Sequence, residues 1–351
     1  KWWTIGLSVM ATQASAITFL STPGQAFDKG LGFVQFYFGL PLAMVVLCVT
    51  FIPIFYRLKV YTAYEYLETR FDLKTRSLTA LLFLIQRGLA AGITIYAPAI
   101  VLSVLMGWNL RLTCIVIGVL VIIYTVTGGT KAVSVTQKQQ MFVILTGMII
   151  AFFIILRLLP EDMNFSEALK LAGASHKTNA VDFSFNFNER YTFWSGITGG
   201  FFLALAYFGT DQSQVQRYLG GKSIRESRLG LLFNGLFKLP LQFFILLVGV
   251  MVYVFFQFQI KPLNFNPQAE SYIKQSPLQE EYFNLEEQYV ALQKEKMELS
   301  SSFLEAYRKD ESSNINALKQ DLIDTEDKLN ILRAKGRNVI DSAEQKNESN
   351  D

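Results

Sequence analysis

The chain has 351 residues, of which 51% are hydrophobic and 17% charged, and its formal net charge is +3. Long apolar runs fill residues 1–257, whereas residues 258–351 are polar and highly charged, so the composition is that of a membrane domain with a soluble appendage and not of a single soluble domain. One histidine and two isolated cysteines leave almost no material for a Ser-His-Asp triad, a CxxC metal site or a disulfide framework.

Seven apolar segments are long enough to cross a bilayer, which takes about 20 residues. They cover residues 2–27, 32–56, 78–106, 109–128, 139–156, 192–214 and 227–257. Lys and Arg are concentrated in the connections after the second, fourth and sixth segments, and such an excess marks the cytoplasmic side. An odd number of crossings then predicts that residues 258–351 lie outside the cytoplasm.

The first apolar segment has the wrong composition for a plain lipid-facing helix. Residues 10–25 carry polar and small side chains at membrane depth, and they end in Pro23-Gly24-Gln25. Unwound backbone is tolerated in a membrane only where it is buried or lines a cavity, and its free carbonyls can coordinate a cation. The alternative is an ordinary helix with small residues at a packing interface, and these residues alone leave both possibilities open.

The tail shows helical periodicity on both sides of a polar turn. Apolar residues recur between Leu285 and Phe303 and again between Leu318 and Leu332, separated by residues 310–314. This pattern predicts a helical hairpin, as an antiparallel coiled coil, with a solvated charged linker as the alternative. The connection 158–191 contains one predicted short helix near residues 166–171. The chain begins with Lys and ends in a polar stretch, and we expect truncation at both ends.

Five stretches resemble the sodium/solute symporter family. They are residues 10–27, 51–71, 92–99, 128–133 and 210–219, in the family's order. The resemblance covers residues 1–257 and leaves out the tail. It implies an all-α, polytopic membrane bundle with leucine-transporter-type inverted repeats, the second of them incomplete, in which solute and ions bind at broken helices near the midplane.

The resemblance also implies a function. It indicates a sodium-coupled secondary transporter that imports a small organic solute, an anionic carboxylate, by alternating access, and not an enzyme. Sodium is the coupling ion, and no organic cofactor is implied. The expected partners are the solute, sodium and membrane lipid, without nucleic acid and with an unknown partner for the tail, in the cell (inner) membrane. The alternative is a symporter-like sensor that signals through its extracytoplasmic coiled coil.

Site residues are carried over position by position. The resemblance places sodium-coordinating backbone carbonyls at Ala11 and Ala14 and an inner gate at Tyr207. It places substrate-side residues at Gln13, Ser15, Thr18, Phe33 and Tyr37. The alternative for these side chains is ordinary packing between helices. Ala204 stands where the family's sugar transporters have an asparagine, so a hexose is disfavoured.

Three further residues stand out inside the apolar segments. Arg87 is expected to bind a substrate carboxylate through its planar fork, with snorkelling or an internal salt bridge as alternatives. Lys238 is expected to be a structural or ion-pair partner. Gln137 replaces an acidic residue that contributes to a second sodium site in some members, and the resemblance therefore implies a single sodium ion.

Overall fold

The computed structural model describes residues 2–15, 17–60, 62–186, 188–266, 273 and 276–348, and within these ranges the chain is helical without β-strands. It forms two compact units. The membrane unit comprises residues 1–103, 108–151 and 179–249, and the tail unit comprises residues 104–107, 152–178 and 250–351.

The first predicted span is interrupted. Helix α1 (Trp2–Gln13) ends before residues 14 and 15, which are not helical, and a π-helical turn (Ile17–Ser21) leads into α2 (Thr22–Lys29). Pro23 lies at the start of α2, where a missing N–H leaves no intrahelical bond unmade. A 3₁₀ segment (Gly30–Tyr37), α3 (Gly39–Val49) and α4 (Phe51–Leu58) follow.

The next helices are longer and more regular. They are α5 (Glu65–Arg70), α6 (Leu73–Met106) and α7 (Leu110–Leu158). Gly129 kinks α7 because its φ of +56° and ψ of −160° lie in a region that only glycine enters readily. The kink falls in the stretch 128–133, between the predicted segments 109–128 and 139–156, and it divides α7 into the apolar stretches Leu110–Gly129 and Val135–Leu158.

A second interrupted span follows in the membrane unit. It consists of α9 (Phe193–Ser195), a π-helical turn (Gly196–Gly200) and α10 (Phe201–Thr210), after which come α11 (Gln212–Leu219) and α12 (Ile224–Phe255). A Cβ atom on Gly196 would lie 2.0 Å from the carbonyl oxygen of Gln35, and one on Gly200 would lie 2.4 Å from that of Phe36. Glycine thus permits direct backbone contact between the π-helical turn Gly196–Gly200 and the 3₁₀ segment Gly30–Tyr37. The helices that follow these two segments, α10 and α3, pack against each other.

Five helical stretches among the described residues, some of them composed of several elements or of part of one, are long and apolar enough to cross a membrane. They are Ile17–Leu58, Leu73–Met106, Leu110–Gly129, Val135–Leu158 and Ile224–Phe255. The predicted spans 2–27 and 192–214 add no helix of their own to this set, because both are broken into shorter pieces. The count of seven crossings therefore stays a prediction.

Three helices lie entirely within the described residues of the tail unit. Helix α8 (Phe165–Ala174) starts with a capping box between Asn164 and Glu167, and α13 (Gln279–Arg308) packs against α14 (Ser312–Glu348). The Arg308 guanidinium binds the carboxylates of Asp162 at 2.7 Å and Glu167 at 2.8 Å, which ties the end of α13 to the start of α8. Two helices thus occupy the predicted hairpin. Their coiled-coil geometry and their position outside the cytoplasm stay predictions.

Candidate functional site

A cavity of about 160 Å³ lies in the membrane unit beside the end of α1. Its lining is mostly apolar with a few polar groups, as is typical of a small-ligand site. The lining residues are Gln13, Phe36, Tyr37, Leu40, Gly200, Leu203, Ala204, Tyr207 and Phe208. The fold thus brings three predicted site residues together: Gln13 from α1, Tyr37 from the 3₁₀ segment and Tyr207 from α10. Ser15 and Thr18 lie in the break beside it and are not among these lining residues.

Phe33 belongs to an aromatic wall next to this cavity. Its ring centroid lies 5.8 Å from that of Tyr37 and 5.2 Å from that of Tyr191, both in edge-to-face geometry. The Gln35 side chain fixes the wall, because its amide nitrogen donates to the Tyr191 carbonyl at 2.9 Å and its oxygen accepts from the Asp182 N–H at 2.8 Å. A ligand in the cavity would therefore meet a rigid aromatic surface on this side.

The end of α1 has the electrostatics of a cation site. The last carbonyls of a helix have no intrahelical partner, and the helix dipole places partial negative charge there. The Met10 carbonyl accepts from the N–H of Ala14 at 3.0 Å. Ala14 and Ala11, the two predicted sodium ligands, are both partly buried. Neutral carbonyl oxygens at a half-helix end suit sodium.

Gln137 reaches α1 one turn before the break. Its amide nitrogen donates to the Thr12 hydroxyl at 3.2 Å, and its oxygen accepts from the Ser8 hydroxyl at 3.4 Å. The Thr12 hydroxyl in turn donates to the Ser8 carbonyl at 2.8 Å. The position that carries an acid in some family members thus holds a neutral side chain engaged with α1.

Arg87 forms an ion pair with Asp211, whose side chain is only 9% exposed. The same guanidinium nitrogen donates to the Ser213 hydroxyl at 2.9 Å, and the guanidinium carbon lies 5.8 Å from the Tyr207 ring centroid. This is the internal salt bridge that the sequence left open as an alternative. The Nε atom of Arg87 is buried and has no hydrogen-bond partner in the described part of the chain, so one donor of the fork is unused. A substrate role for Arg87 stays a prediction.

Tyr207 lies between two cavities. The second one, of about 330 Å³, is bordered by Asp211, Gln86 and Tyr64, and it shares Leu203 and Tyr207 with the first. The Gln214 side chain donates to the Tyr207 hydroxyl at 2.7 Å and fixes its orientation. Tyr207 thus lines both cavities, and its role as an inner gate stays a prediction.

Lys238 belongs to a buried polar stripe on α12. Asn234, Lys238 and Gln242 follow one another at four-residue spacing on one helix face, and all three are 0% exposed. Their side-chain nitrogen and oxygen atoms have no hydrogen-bond partner among the described residues. The Nζ atom of Lys238 lies 5.6 Å from the ring centroid of Tyr37, which lines the first cavity.

An uncompensated charge at membrane depth is costly, and such groups mark solute or ion pathways. Sequence reasoning singled out Lys238 but missed its two amide neighbours. The four-residue spacing inside an otherwise apolar helix was the available signal. Asp211 was also missed as a partner of Arg87, because it stands 124 positions away in the chain.

Comparison with known proteins agrees with this architecture. The model of the sodium:solute symporter family matches residues 1–278. The human sodium/iodide cotransporter is 35% identical over 237 residues, which are 66% of this chain and 36% of that protein. The human sodium-coupled monocarboxylate transporter 1 is 35% identical over 232 residues, 66% of this chain and 37% of that protein. The chain thus spans little more than a third of the length of these relatives.

A solved structure also has the same fold. It is that of a Na⁺-coupled sialic acid symporter in a substrate-bound, outward-open state, and it matches with a TM-score of 0.69 and 24% sequence identity. The match covers 97% of this chain and 65% of that chain. The all-α, symporter-type fold predicted from the sequence is confirmed.

Proposed function

The chain belongs to the sodium:solute symporter family, and from this premise we propose that the protein imports a small organic anion, a carboxylate, together with sodium by alternating access. It is an integral, multi-pass membrane protein, and its relatives are sodium-coupled transporters and not enzymes. The cell membrane as its location and an extracytoplasmic tail are part of the proposal.

The observation that carries the choice of an anion is the buried, unpartnered Lys238. A solute carboxylate beside Tyr37 would supply the negative charge that the described residues do not place next to its ammonium group. Two relatives are named for anions, iodide and monocarboxylates, which supports the same class. Ala204 lines the cavity and offers no hydrogen bond, so nothing at this position favours a sugar.

Arg87 is the second cationic group in the proposal. Its Nε atom, which has no hydrogen-bond partner among the described residues, and its position against Tyr207 would let it bind a solute carboxylate. The terminal nitrogen of the same guanidinium would stay paired with Asp211. Ser15 and Thr18 would offer hydroxyl groups from the break, and Gln13, Phe33 and Tyr37 would form the remaining wall. Tyr207 would close the cavity on its inner side.

Sodium would bind at the end of α1 through the carbonyls of Ala11 and Ala14. The helix dipole favours a cation there, and a bound anion nearby would favour it further. Gln137 supplies a neutral oxygen and no countercharge, so one sodium ion per cycle is proposed.

The test is uptake by the full-length protein in proteoliposomes. We expect an inward sodium gradient, and not a potassium gradient, to drive accumulation of labelled lactate, with the neutral amide lactamide accumulated far less. Lys238→Gln should weaken lactate affinity by roughly one to two orders of magnitude, because a charged hydrogen bond contributes about 1.5–3 kcal/mol. Lys222→Gln removes the same charge at an exposed loop position and is the matched control.

Two results would contradict the proposal. Uptake that does not depend on the sodium gradient would exclude sodium symport and would favour the alternative, a symporter-like sensor. Sodium-driven uptake in which Lys238→Gln leaves the preference for lactate over lactamide unchanged would exclude Lys238 as the anion-binding group.

A further inference from the structure

The tail unit contains a groove with one rigid wall. Residues 261–266 run along α13 and α14, and Gln293 holds them: its oxygen accepts from the Lys261 N–H at 2.8 Å and its nitrogen donates to the Lys261 carbonyl at 3.2 Å. Leu263 packs against Gly336, where an added Cβ would lie 2.9 Å from the leucine side chain. The segment is therefore seated on both helices, and the groove beside it is preformed.

Two arginines of α14 face this groove. Arg333 and Arg337 are one helical turn apart and both line it, together with Asp341 one turn further on. The Arg333 guanidinium carbon lies 5.8 Å from the Phe265 ring centroid, a cation–π distance that restrains the side chain. In the described part of the chain no carboxylate lies within ion-pair distance of either arginine. Two adjacent guanidinium groups without a counterion form a receptor for an anion.

The rest of the lining selects among anions. The Asn264 side chain accepts from the Asn266 N–H at 3.2 Å and donates to the Asn266 carbonyl at 3.3 Å, which fixes the loop at the mouth of the groove. Asp341 is an acceptor for hydroxyl groups, and with Arg333 and Arg337 it gives the lining a net charge of +1, which a single carboxylate balances. The groove measures about 410 Å³, within the range of small-ligand sites.

We propose that this groove binds a small monocarboxylate that bears hydroxyl groups, such as a sugar acid, with Arg333 and Arg337 on the carboxylate and Asp341 on the hydroxyls. The site lies wholly within the tail unit and is independent of the sodium-coupled site. It gives the tail unit, most of which follows the residues 1–278 matched by the family model, a ligand of its own.

The experiment is calorimetric titration of the purified full-length protein with D-glucuronate in potassium buffer, which keeps sodium-coupled binding silent. We expect saturable binding of D-glucuronate and none of D-glucose. Arg337→Gln should weaken binding by roughly one to two orders of magnitude, and Arg337→Lys should fall between, because a point charge keeps the attraction and loses the fork. Arg337 is exposed, so its replacement removes no buried contact.

The matched control is Lys335→Gln, which removes the same charge from an exposed position of α14 that does not line the groove. We expect it to bind D-glucuronate as the wild type does. The proposal is overturned by an absence of saturable D-glucuronate binding, by equal weakening in the Lys335 and Arg337 variants, or by inorganic phosphate binding as tightly as D-glucuronate. Each result is read on protein whose tail retains wild-type hydrogen-exchange protection.

Discussion

Replacing Arg87 with alanine is expected to have two separable effects. The first is on stability, because Asp211 would be left in a buried position without its cation. An exposed ion pair contributes at most about 1 kcal/mol, and breaking a buried one costs about 3–5 kcal/mol. Arg87 is 32% exposed and Asp211 is 9% exposed, so a loss of about 1–3 kcal/mol is expected. The N–H and hydroxyl of Ser213 still donate hydrogen bonds to the Asp211 carboxylate in this variant, which limits the loss of stability.

The second effect is on solute binding. If the unused Nε donor binds a carboxylate, its loss should weaken lactate affinity by roughly ten- to a hundredfold and leave lactamide binding nearly unchanged. Arg87→Lys should be intermediate. The double variant Arg87→Gln/Asp211→Asn removes both charges together, so it should recover most of the stability while lactate binding stays weak.

The assay measures both quantities on the same purified protein. Thermal midpoints of the monodisperse fraction report stability, and equilibrium binding of lactate and lactamide in the presence of sodium reports the anion preference. The reasoning is refuted if a folded Arg87→Ala protein keeps the full preference for lactate. In that case the ion pair with Asp211 is the whole role of Arg87, and Lys238 alone supports the anionic substrate.

Three further predictions address the ion, the topology and the tail. Charge-to-solute measurements should give one sodium per cycle, and a ratio of two would show that Gln137 does not remove a sodium site. A cysteine at exposed Ser312, in a background without Cys48 and Cys114, should react with an impermeant thiol reagent in intact cells, whereas labelling only after lysis would reverse the topology. Burial lowers the pKa of Lys261 from its ordinary 10.5 to about 8. The nearby cations Lys296, Arg333 and Lys177 lower this pKa further, whereas the Glu326 carboxylate raises it. The unfolded chain then binds more protons between these values, so tail stability should rise from about pH 8 to about pH 10, a trend that Lys261→Met should weaken. Hydrogen-exchange protection in α13, corrected for intrinsic rates, would contradict this if it fell over that range.

Local chemistry made several structural features predictable from the sequence. Small and polar residues before Pro23 left an interruption of the first span as one of two possibilities, because they weaken the helix and offer the backbone other partners, and the resemblance to the symporter family implied the break. The glycine pair at 128–129 lies between the predicted segments 109–128 and 139–156, and Gly129 kinks the helix there because its φ of +56° and ψ of −160° form a combination that only glycine adopts readily. In the tail, the polar residues 310–314 predicted the turn between α13 and α14.

The contacts between residues far apart in the chain could not be predicted from the sequence. Arg87 meets Asp211 across 124 positions, and Gln137 meets Thr12 across 125. Such contacts depend on how the helices are arranged, which periodicity within one helix does not encode. The two amide neighbours of Lys238 on α12, Asn234 and Gln242, were visible in the sequence at four-residue spacing. Their importance became clear only from their complete burial without hydrogen bonds.

The charges of the membrane unit give a physical reason for coupling. Arg87 is neutralised by Asp211, whereas the described residues provide no countercharge for Lys238. A sodium ion entering the cavity alone would meet an unbalanced positive charge, and an anion entering alone would lack the cation that the α1 dipole favours. Bound together, each lowers the electrostatic cost of the other, and thermodynamic linkage makes the two effects equal. Neutralising Lys238 by mutation should therefore weaken not only anion binding but also the dependence of sodium affinity on the anion.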